Sequence, residues 1–293
     1  MINPLDDWNR AWPAPAKLNL FLHVVGRRAD GYHLLQTVFR LIDLSDWVRF
    51  TPLSSAEVRL AKPLPGVEEN DELCVRAARL LQRESGCQRG IEISIEKNIP
   101  TGAGLGGGSS DAATTLIALD RLWGLDLSSQ RLADLGRGLG ADVPFFLCRE
   151  NAFGEGVGDQ LRPLRLPPTW YVVLVPPVAV STADIFAAPE LTRDTKSIKI
   201  SSFSDGFGHN DLEPVVSRRY PVVAAYLAWL KAFGDARMSG SGSCVFAGFS
   251  TERRARAVVS ALPADMRGFA VRGLDEHPLA SGPSRTKAGE TGK

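Results

Sequence analysis

The sequence predicts a mixed α+β protein of two domains. Three observations carry this. Strand and helix periods alternate along the chain. Its 293 residues exceed the roughly 150 of one average domain. A Pro-rich stretch, Arg162 to Pro168, separates one set of strands and helices from a second. The boundary is set at 165, giving an N-terminal block over 1–165 and a C-terminal block over 166–276. Residues 277–293, almost without large apolar side chains, are expected to be a disordered tail.

Lys17 to Val25 alternates, with Leu18, Leu20, Leu22 and Val24 on one face and Lys17, Asn19, Phe21 and His23 on the other, as a strand requires. Gly26 to Gly31 has turn chemistry, and Thr37 to Ile42, Val48 to Thr51 and Glu57 to Leu60 read as further strands of a small sheet. Asp71 to Glu84 switches to helical spacing, with Leu73, Ala77, Leu80 and Leu81 on one side and Gly86 as the stop. Ile91, Ile93 and Ile95 alternate with polar residues as a strand. After a loop over 97–108, a helix is expected from Asp111 to Trp123, capped by Ser109 or Ser110 and ended by Gly124. A shorter helix, Ser129 to Arg137, leads into Gly140-Ala141-Asp142-Val143-Pro144. There the proline favours an extended Val143 and places Asp142 where regular structure ends.

In the second block Trp170 to Val175 reads as a strand, Val222 to Phe233 and Thr251 to Leu262 as helices, and Phe269 to Leu274 as a closing strand. Thr192 to His209 is polar and irregular, either a lid or a tolerated insertion.

Composition excludes several functions. With 34 Lys+Arg against 33 Asp+Glu, the chain lacks the basic footprint that phosphate-backbone binding needs, so no nucleic acid is expected as partner. Hydrophobic content of 44% with 23% charged residues is too apolar for a disordered chain. The four cysteines make no C-x-x-C pair and the histidines no H-x-x-x-H spacing, which speaks against a disulfide framework or a structural zinc. The beginning of the chain lacks the basic-then-apolar order of a signal peptide. The most apolar stretch, Trp170 to Val180, is broken by Pro176-Pro177 and falls short of the roughly 20 residues a bilayer requires. A cytoplasmic protein with no membrane contact is expected.

The most informative segment is Ile99-Pro100-Thr101-Gly102-Ala103-Gly104-Leu105-Gly106-Gly107-Gly108-Ser109-Ser110-Asp111. Five glycines in seven positions let backbone amides turn inward toward an anion, and the helix that follows adds its partial positive end. The P-loop pattern fails, because no lysine follows these glycines. Gly102-x-Gly104-x-x-Gly107 meets the dinucleotide fingerprint, but no strand-plus-acid follows about 20 residues on. A nicotinamide oxidoreductase would use only those three glycines. A nucleotide-binding regulatory module would keep the loop and need no catalytic side chains.

The loop also resembles the P-x-x-x-G-L-G-S-S signature of the GHMP small-molecule kinases, with Pro100, Gly104-Leu105-Gly106, two extra glycines and then Ser109-Ser110. Further segments resemble the branch of that family that phosphorylates a cytidyl diphosphate alcohol. These are Pro15 to Leu22, Gly26 to His33, Leu139 to Pro144, Gly154 to Gly158, Asn210-Asp211-Leu212-Glu213 and Ser239 to Gly242. The resemblance runs from about Pro13 to Leu274. It implies a two-lobed GHMP kinase fold, with an N-terminal lobe like ribosomal protein S5 domain 2 and a ferredoxin-like C-terminal lobe. It implies ATP as phosphoryl donor with Mg²⁺, and transfer to the 2-hydroxyl of 4-diphosphocytidyl-2-C-methyl-D-erythritol in non-mevalonate isoprenoid synthesis. A monomer or weak homodimer is expected, with a small molecule as its partner.

The same resemblance assigns roles. Asp142, by its own residue type a turn or capping Asp, becomes the carboxylate that accepts or orients the hydroxyl proton, and Lys17, otherwise a solvated strand lysine, its partner beside Asn19. Pro100 to Ser110 cradle the phosphates, with Lys97 near the nucleotide. Tyr32 and His33 lie at the cytosine moiety, with Phe186 as the aromatic on the other side, and the His33 backbone or ring reads the base edge. Asp111 either favours the helix dipole or helps to position Mg²⁺. One departure stands out: Glu72 occupies a position where related kinases often carry Asn, which leaves adenine contacts open.

Overall fold

The computed structural model describes residues 7–203 and 206–280. Strands β1 (Trp12–Arg27), β2 (His33–Leu53), β3 (Val58–Leu60), β4 (Gly90–Glu96), β5 (Ala152–Glu155) and β6 (Gln160–Pro163) form the first sheet, ordered β3-β4-β2-β5-β6 with β1 paired to β2. Against it pack helices α1 (Leu73–Ser85), α2 (Gly107–Trp123), α3 (Ser129–Arg137) and α4 (Val143–Cys148). A second, antiparallel sheet runs β10-β7-β9-β8, from β7 (Trp170–Leu174), β8 (Ala236–Met238), β9 (Val245–Phe249) and β10 (Gly268–Arg272). Its helices are α5 (Thr182–Phe186), α6 (Glu213–Arg219), α7 (Pro221–Lys231) and α8 (Glu252–Ser260). No helix among the described residues is long and apolar enough to cross a membrane.

β1 binds the two halves together. Trp12 and Ala14 enter the first core, Ala16, Leu18, Leu20 and Phe21 a middle core shared with Tyr171, Val173 and Phe246 of the second sheet, and Leu22 and Val24 the second core. Burial on both faces hides the simple alternation expected of this strand, and a register shift between Asn19 and Leu22 turns Phe21 into the same core as Leu18 and Leu20.

Three expectations need correction. The two strands read over 37–42 and 48–51 are one 21-residue strand, β2. The polar break at Asp43 to Asp46 is a bulge: Pro15 faces Ser45 while Ala16 faces Ile42. Asp43 accepts from Arg272 N, and the fully buried Asp46 accepts from Asn98 N and Ile99 N, so these acids cap backbone from elsewhere instead of ending the strand. Val143 is not extended, and Asp142 opens a helix where an end to regular structure was expected. Pro144 sits in the first turn of α4, where its missing N–H has no role to fill. Finally, the compact chain reaches past the expected tail boundary at 277: His277 and Leu279 are buried, and Leu279 packs on the first core. Residues 281–293 of that tail lie outside the described residues.

The irregular stretch from 192 to 209, apart from residues 204 and 205, is fastened to the first sheet. Thr195 N donates to Val24 O, Ile198 N to Gln36 Oε1, and Leu22 N to His209 O. Phe203 stacks on Phe21 at 5.9 Å, and Phe207 meets the same ring edge-on at 5.7 Å. Several of its backbone polar groups are satisfied by β1 and β2, and Gly206 O and Phe207 O by Arg237 of β8, so its order comes from partners rather than from a periodicity of its own.

The C-terminal anchor predicts a pH dependence. Leu279 N donates to His277 Nδ1 at 3.0 Å, and burial, reinforced by Arg149, lowers the His277 pKa to about 3. The unfolded chain therefore takes up near pH 6.5 a proton that the folded chain resists, so stability is complete above that pH and is lost as the pH falls toward 3. Between pH 7.5 and 5 this group should remove roughly 2 kcal/mol. Urea titrations at the two pH values should show a smaller drop for His277→Gln than for the parent; equal drops would contradict the assignment.

Candidate active site

Lys17, on β1, is 3% exposed. A buried ammonium is tolerable only when paired and hydrogen-bonded, and here both conditions hold. Its Nζ donates to Asn19 Oδ1 at 2.5 Å and lies 3.2 Å from Asp142 Oδ2. Asn19 is oriented in turn: its Nδ2 donates to Thr37 Oγ1 (2.9 Å), whose hydroxyl donates to Phe21 O (2.5 Å). The amide therefore presents its oxygen to the lysine. Asp142, at the start of α4, remains about one-third exposed toward the cleft. Sequence reasoning brought Lys17, Asn19 and Asp142 together; it did not find Thr37, whose signal is only a hydroxyl inside a strand.

The glycine loop is tied down by its carbonyls. Cys244 N donates to Ala103 O (3.1 Å), Ser239 Oγ to Gly104 O (3.1 Å) and Lys17 N to Leu105 O (2.9 Å). Ala103 and Leu105 are buried, whereas Gly102, Gly104, Gly106 and Ser109 line the cleft. With these carbonyls engaged inside the protein, the loop is suited to offer amides to an anion. Gly106 (φ 75°) is the N-cap of α2, and a Cβ there would stand 3.1 Å from the Lys17 side chain.

The helix begins at Gly107, not Asp111, so Ser109 and Ser110 lie in its first turn and do not cap it. Packing overrides the poor helix propensity of glycine: a Cβ on Gly107 would meet Ile99 at 3.1 Å, and Gly108 packs near Leu73. Ser110 is buried. Pro100 and Thr101 lead into the loop at its rim, partly and fully exposed respectively.

Lys97 and Asp111 face one another behind the loop. Lys97 Nζ bonds to Asp46 and, at 2.6 Å, to Asp111 Oδ2. Burial opposes the Lys97 charge, but Asp111 and Asp46 hold its pKa above the ordinary lysine value. One ammonium cannot neutralise two carboxylates, and burial, against the pull of Lys97, raises Asp111 to about 7. The structure thus directs Asp111 to Lys97 and does not place it in the lining of the cleft. Among the described residues no group of three or more His, Cys, Asp or Glu side chains could hold a metal ion. Glu72 proves to be the N-cap of α1, accepting from Cys74 N (2.5 Å) and Val75 N (3.2 Å). Its place is explained by capping.

At the other end of the same cleft, of about 870 Å³, stand Tyr32, His33 and Phe186. The rings of His33 and Phe186 are 5.0 Å apart and tilted by 30°. Tyr32 is 65% exposed, free to cover a ligand. Burial, then the charges of Arg193 and Arg27, lower the His33 pKa.

The turn at 239–242 closes the cleft from the second sheet. Ser239 Oγ accepts from Asn19 N (3.1 Å), and Ser241 and Thr182 hydroxyls meet at 2.6 Å. Asn210 Nδ2 donates to Met238 O and Gly240 O, and Glu213 accepts from Met238 N, which explains the Asn210-Asp211-Leu212-Glu213 segment as the mount of this turn. Asp211 accepts from Val24 N and Thr195 Oγ, stitching the mount to β1.

This close approach separates two glycines that look alike in sequence. A Cβ on Gly104 (φ 77°) would lie 2.3 Å from Ser239 O, whereas on Gly102 (φ 65°) its nearest neighbour is Ala179 Cβ at 3.8 Å. Gly104→Ala should cost more than about 2 kcal/mol, against about 1 kcal/mol for Gly102→Ala, which bears only backbone strain. Denaturant titrations of the two variants compare them directly, and equal losses would refute the close docking of loop and turn.

Residues 72–150 match the GHMP kinases N terminal domain and residues 191–268 the GHMP kinases C terminal family. The 4-diphosphocytidyl-2-C-methyl-D-erythritol kinase of Thiobacillus denitrificans is 60% identical over 271 residues, 92% of this chain and 98% of its own length. That of Nitrosospira multiformis is 59% identical over 270 residues, 91% and 92% of the two chains. A crystal structure of 4-(cytidine 5'-diphospho)-2C-methyl-D-erythritol kinase matches with a TM-score of 0.80 at 37% identity, covering 90% of this chain and 99% of that one. A mevalonate kinase, 16% identical with a TM-score of 0.63 over 91% of this chain and 100% of its own, shares the fold. Matched in both lobes, and sharing more than half its residues with these relatives over nearly their whole length, the chain belongs to the 4-diphosphocytidyl-2-C-methyl-D-erythritol kinase family of the GHMP kinases.

Proposed function

We propose that the protein transfers the γ-phosphoryl group of ATP to the 2-hydroxyl of 4-diphosphocytidyl-2-C-methyl-D-erythritol, a step of the non-mevalonate route to isopentenyl diphosphate. The observation that carries this reading is the Lys17–Asp142 pair, 3.2 Å apart, between the glycine loop and the His33–Phe186 end of one cleft. Loop amides and the N-terminus of α2 hold the triphosphate. The acceptor oxygen forms a bond to the γ-phosphorus as the bridging oxygen leaves with ADP, and the hydroxyl proton passes to Asp142. Lys17, 3.2 Å from Asp142, fixes the carboxylate's position and offers positive charge beside the transferring group.

Mg²⁺ neutralises charge on the β- and γ-phosphates when bound. Because it is usually held by one or two carboxylates plus substrate phosphates, Asp142 would suit an ion brought in by the nucleotide, and Asp111 stays with Lys97. The His33–Phe186 pair, with Tyr32, receives the cytosine. The protein works in the cytoplasm as a monomer or weak homodimer, a reading in keeping with its four free cysteines.

ADP release should be strong with the cytidyl substrate and negligible with homoserine or mevalonate. Asp142→Asn and Lys17→Ala should each lower kcat by roughly 10²- to 10⁴-fold while ATP affinity stays within a few-fold of the parent. Near-normal turnover in both variants would refute the assignment.

A further inference from the structure

Arg193 lies in the stretch fastened along the first sheet, beside the His33–Phe186 pair. Its Nε donates to His33 Nε2 at 3.1 Å, Nη1 to Leu191 O at 3.0 Å, and Nη2 to Phe186 O and Ala188 O at 3.1 and 2.6 Å. A guanidinium only donates and does not lose its protons in a folded protein. Every partner must therefore accept. For three carbonyls that is no constraint, but for an imidazole it is. A neutral ring carries one N–H, so the nitrogen that accepts from Arg193 is the bare one and the proton sits on Nδ1. A doubly protonated ring would set two donors against each other. Burial together with the neighbouring Arg193 and Arg27 charges lowers the His33 pKa, in the same direction.

We propose that Arg193 locks His33 in its neutral Nδ1–H form and so makes the ring an obligatory donor, selecting a pyrimidine with an acceptor at N3, cytosine, over uracil, whose N3 bears a proton. This rests on the reading of the His33–Phe186 end as the base site. Nε2 is occupied, so a base that hydrogen-bonds to the ring meets Nδ1–H. Cytosine N3 accepts from it; uracil N3–H faces donor with donor, and a polar group is left unpaired. The bonds to Phe186 O and Ala188 O make the lock also the mount of the ring's aromatic neighbour. Arg193 is thus a positioning residue for base selection.

The test uses the full-length protein with its nucleotide loop filled by a non-hydrolysable ATP analogue. Nitrogen-15 NMR of ring-labelled histidines at pH 7.5, with His33 assigned through His33→Gln, should show the proton on Nδ1 in the parent and in Arg193→Lys. In Arg193→Met the population should move toward Nε2–H. By calorimetry the parent should prefer 4-diphosphocytidyl-2-C-methyl-D-erythritol to its uridyl analogue. Arg193→Met should shrink that ratio by roughly ten- to a hundred-fold, and Arg193→Lys should restore most of it. A parent ring protonated on Nε2 or on both nitrogens overturns the proposal, as does an unchanged ratio in Arg193→Met. If Arg193→Met fails to fold, the parent tautomer and the Arg193→Lys ratio decide. Base preference and tautomer as expected, without phosphorylation of the cytidyl alcohol, would uphold the lock and sink the proposed reaction.

Discussion

A lysine ammonium with 3% exposure is the constraint around which the rest is arranged. Removing it from water is expensive, so its surroundings must supply acceptors in fixed positions. Asn19 supplies one and Asp142 the other, and each is itself held. Asn19 is turned by Thr37 from the neighbouring strand, and Asp142 stands at the start of a helix whose Val143 and Phe145 are fully buried. Gly106 leaves the space the lysine stem fills. Three segments distant in sequence meet because one charge has to be satisfied.

The glycine loop obeys a related rule. A run so rich in glycine has high conformational entropy when free, and order has to come from elsewhere. It comes through carbonyls: Lys17 N from the first sheet, and Ser239 Oγ and Cys244 N from the segment leading into β9, fasten three consecutive residues. The loop is therefore shared by both lobes. Ser239, accepting from Asn19 N while donating to Gly104 O, links the lysine site to the glycine loop with one hydroxyl. A change in how the lobes meet would be felt at both.

Much of this was legible in the sequence. Helix α3 and the stops at Gly86 and Gly124 follow from local chemistry and occur where that chemistry places them. Lys17, Asn19, Asp142, His33, Phe186 and three of the loop glycines, Gly102, Gly104 and Gly106, converge on one cleft. What was not legible depends on partners. The bulge in β2 exists only because β1 opposes it, and the early start of α2 goes with the close approach of Ile99 to Gly107. Lys97 and Asp111 carry no mark in sequence that they pair with each other and with Asp46, whose own register position is a product of that bulge. Glu72 departs from the usual residue, yet its role is local: it caps the helix it precedes.

The two ends of the cleft use different physics. The glycine-loop end, the proposed phosphate site, is built from backbone, which recognises charge and shape and is indifferent to what the phosphates are attached to; such a site can be common to many kinases of small alcohols. The His33–Phe186 end, the proposed base site, is built from side chains, and a side chain specifies a ligand only as well as its own orientation and protonation are specified. The stretch from 192 to 209 supplies that specification. Pinned by Val24, Gln36 and the Phe21 ring, it delivers a guanidinium to His33 and to the backbone of Phe186 at once. A segment without periodicity, read from sequence as a lid or a tolerated insertion, thus holds the guanidinium that donates to His33 Nε2 and that we propose fixes which end of the imidazole bears its proton.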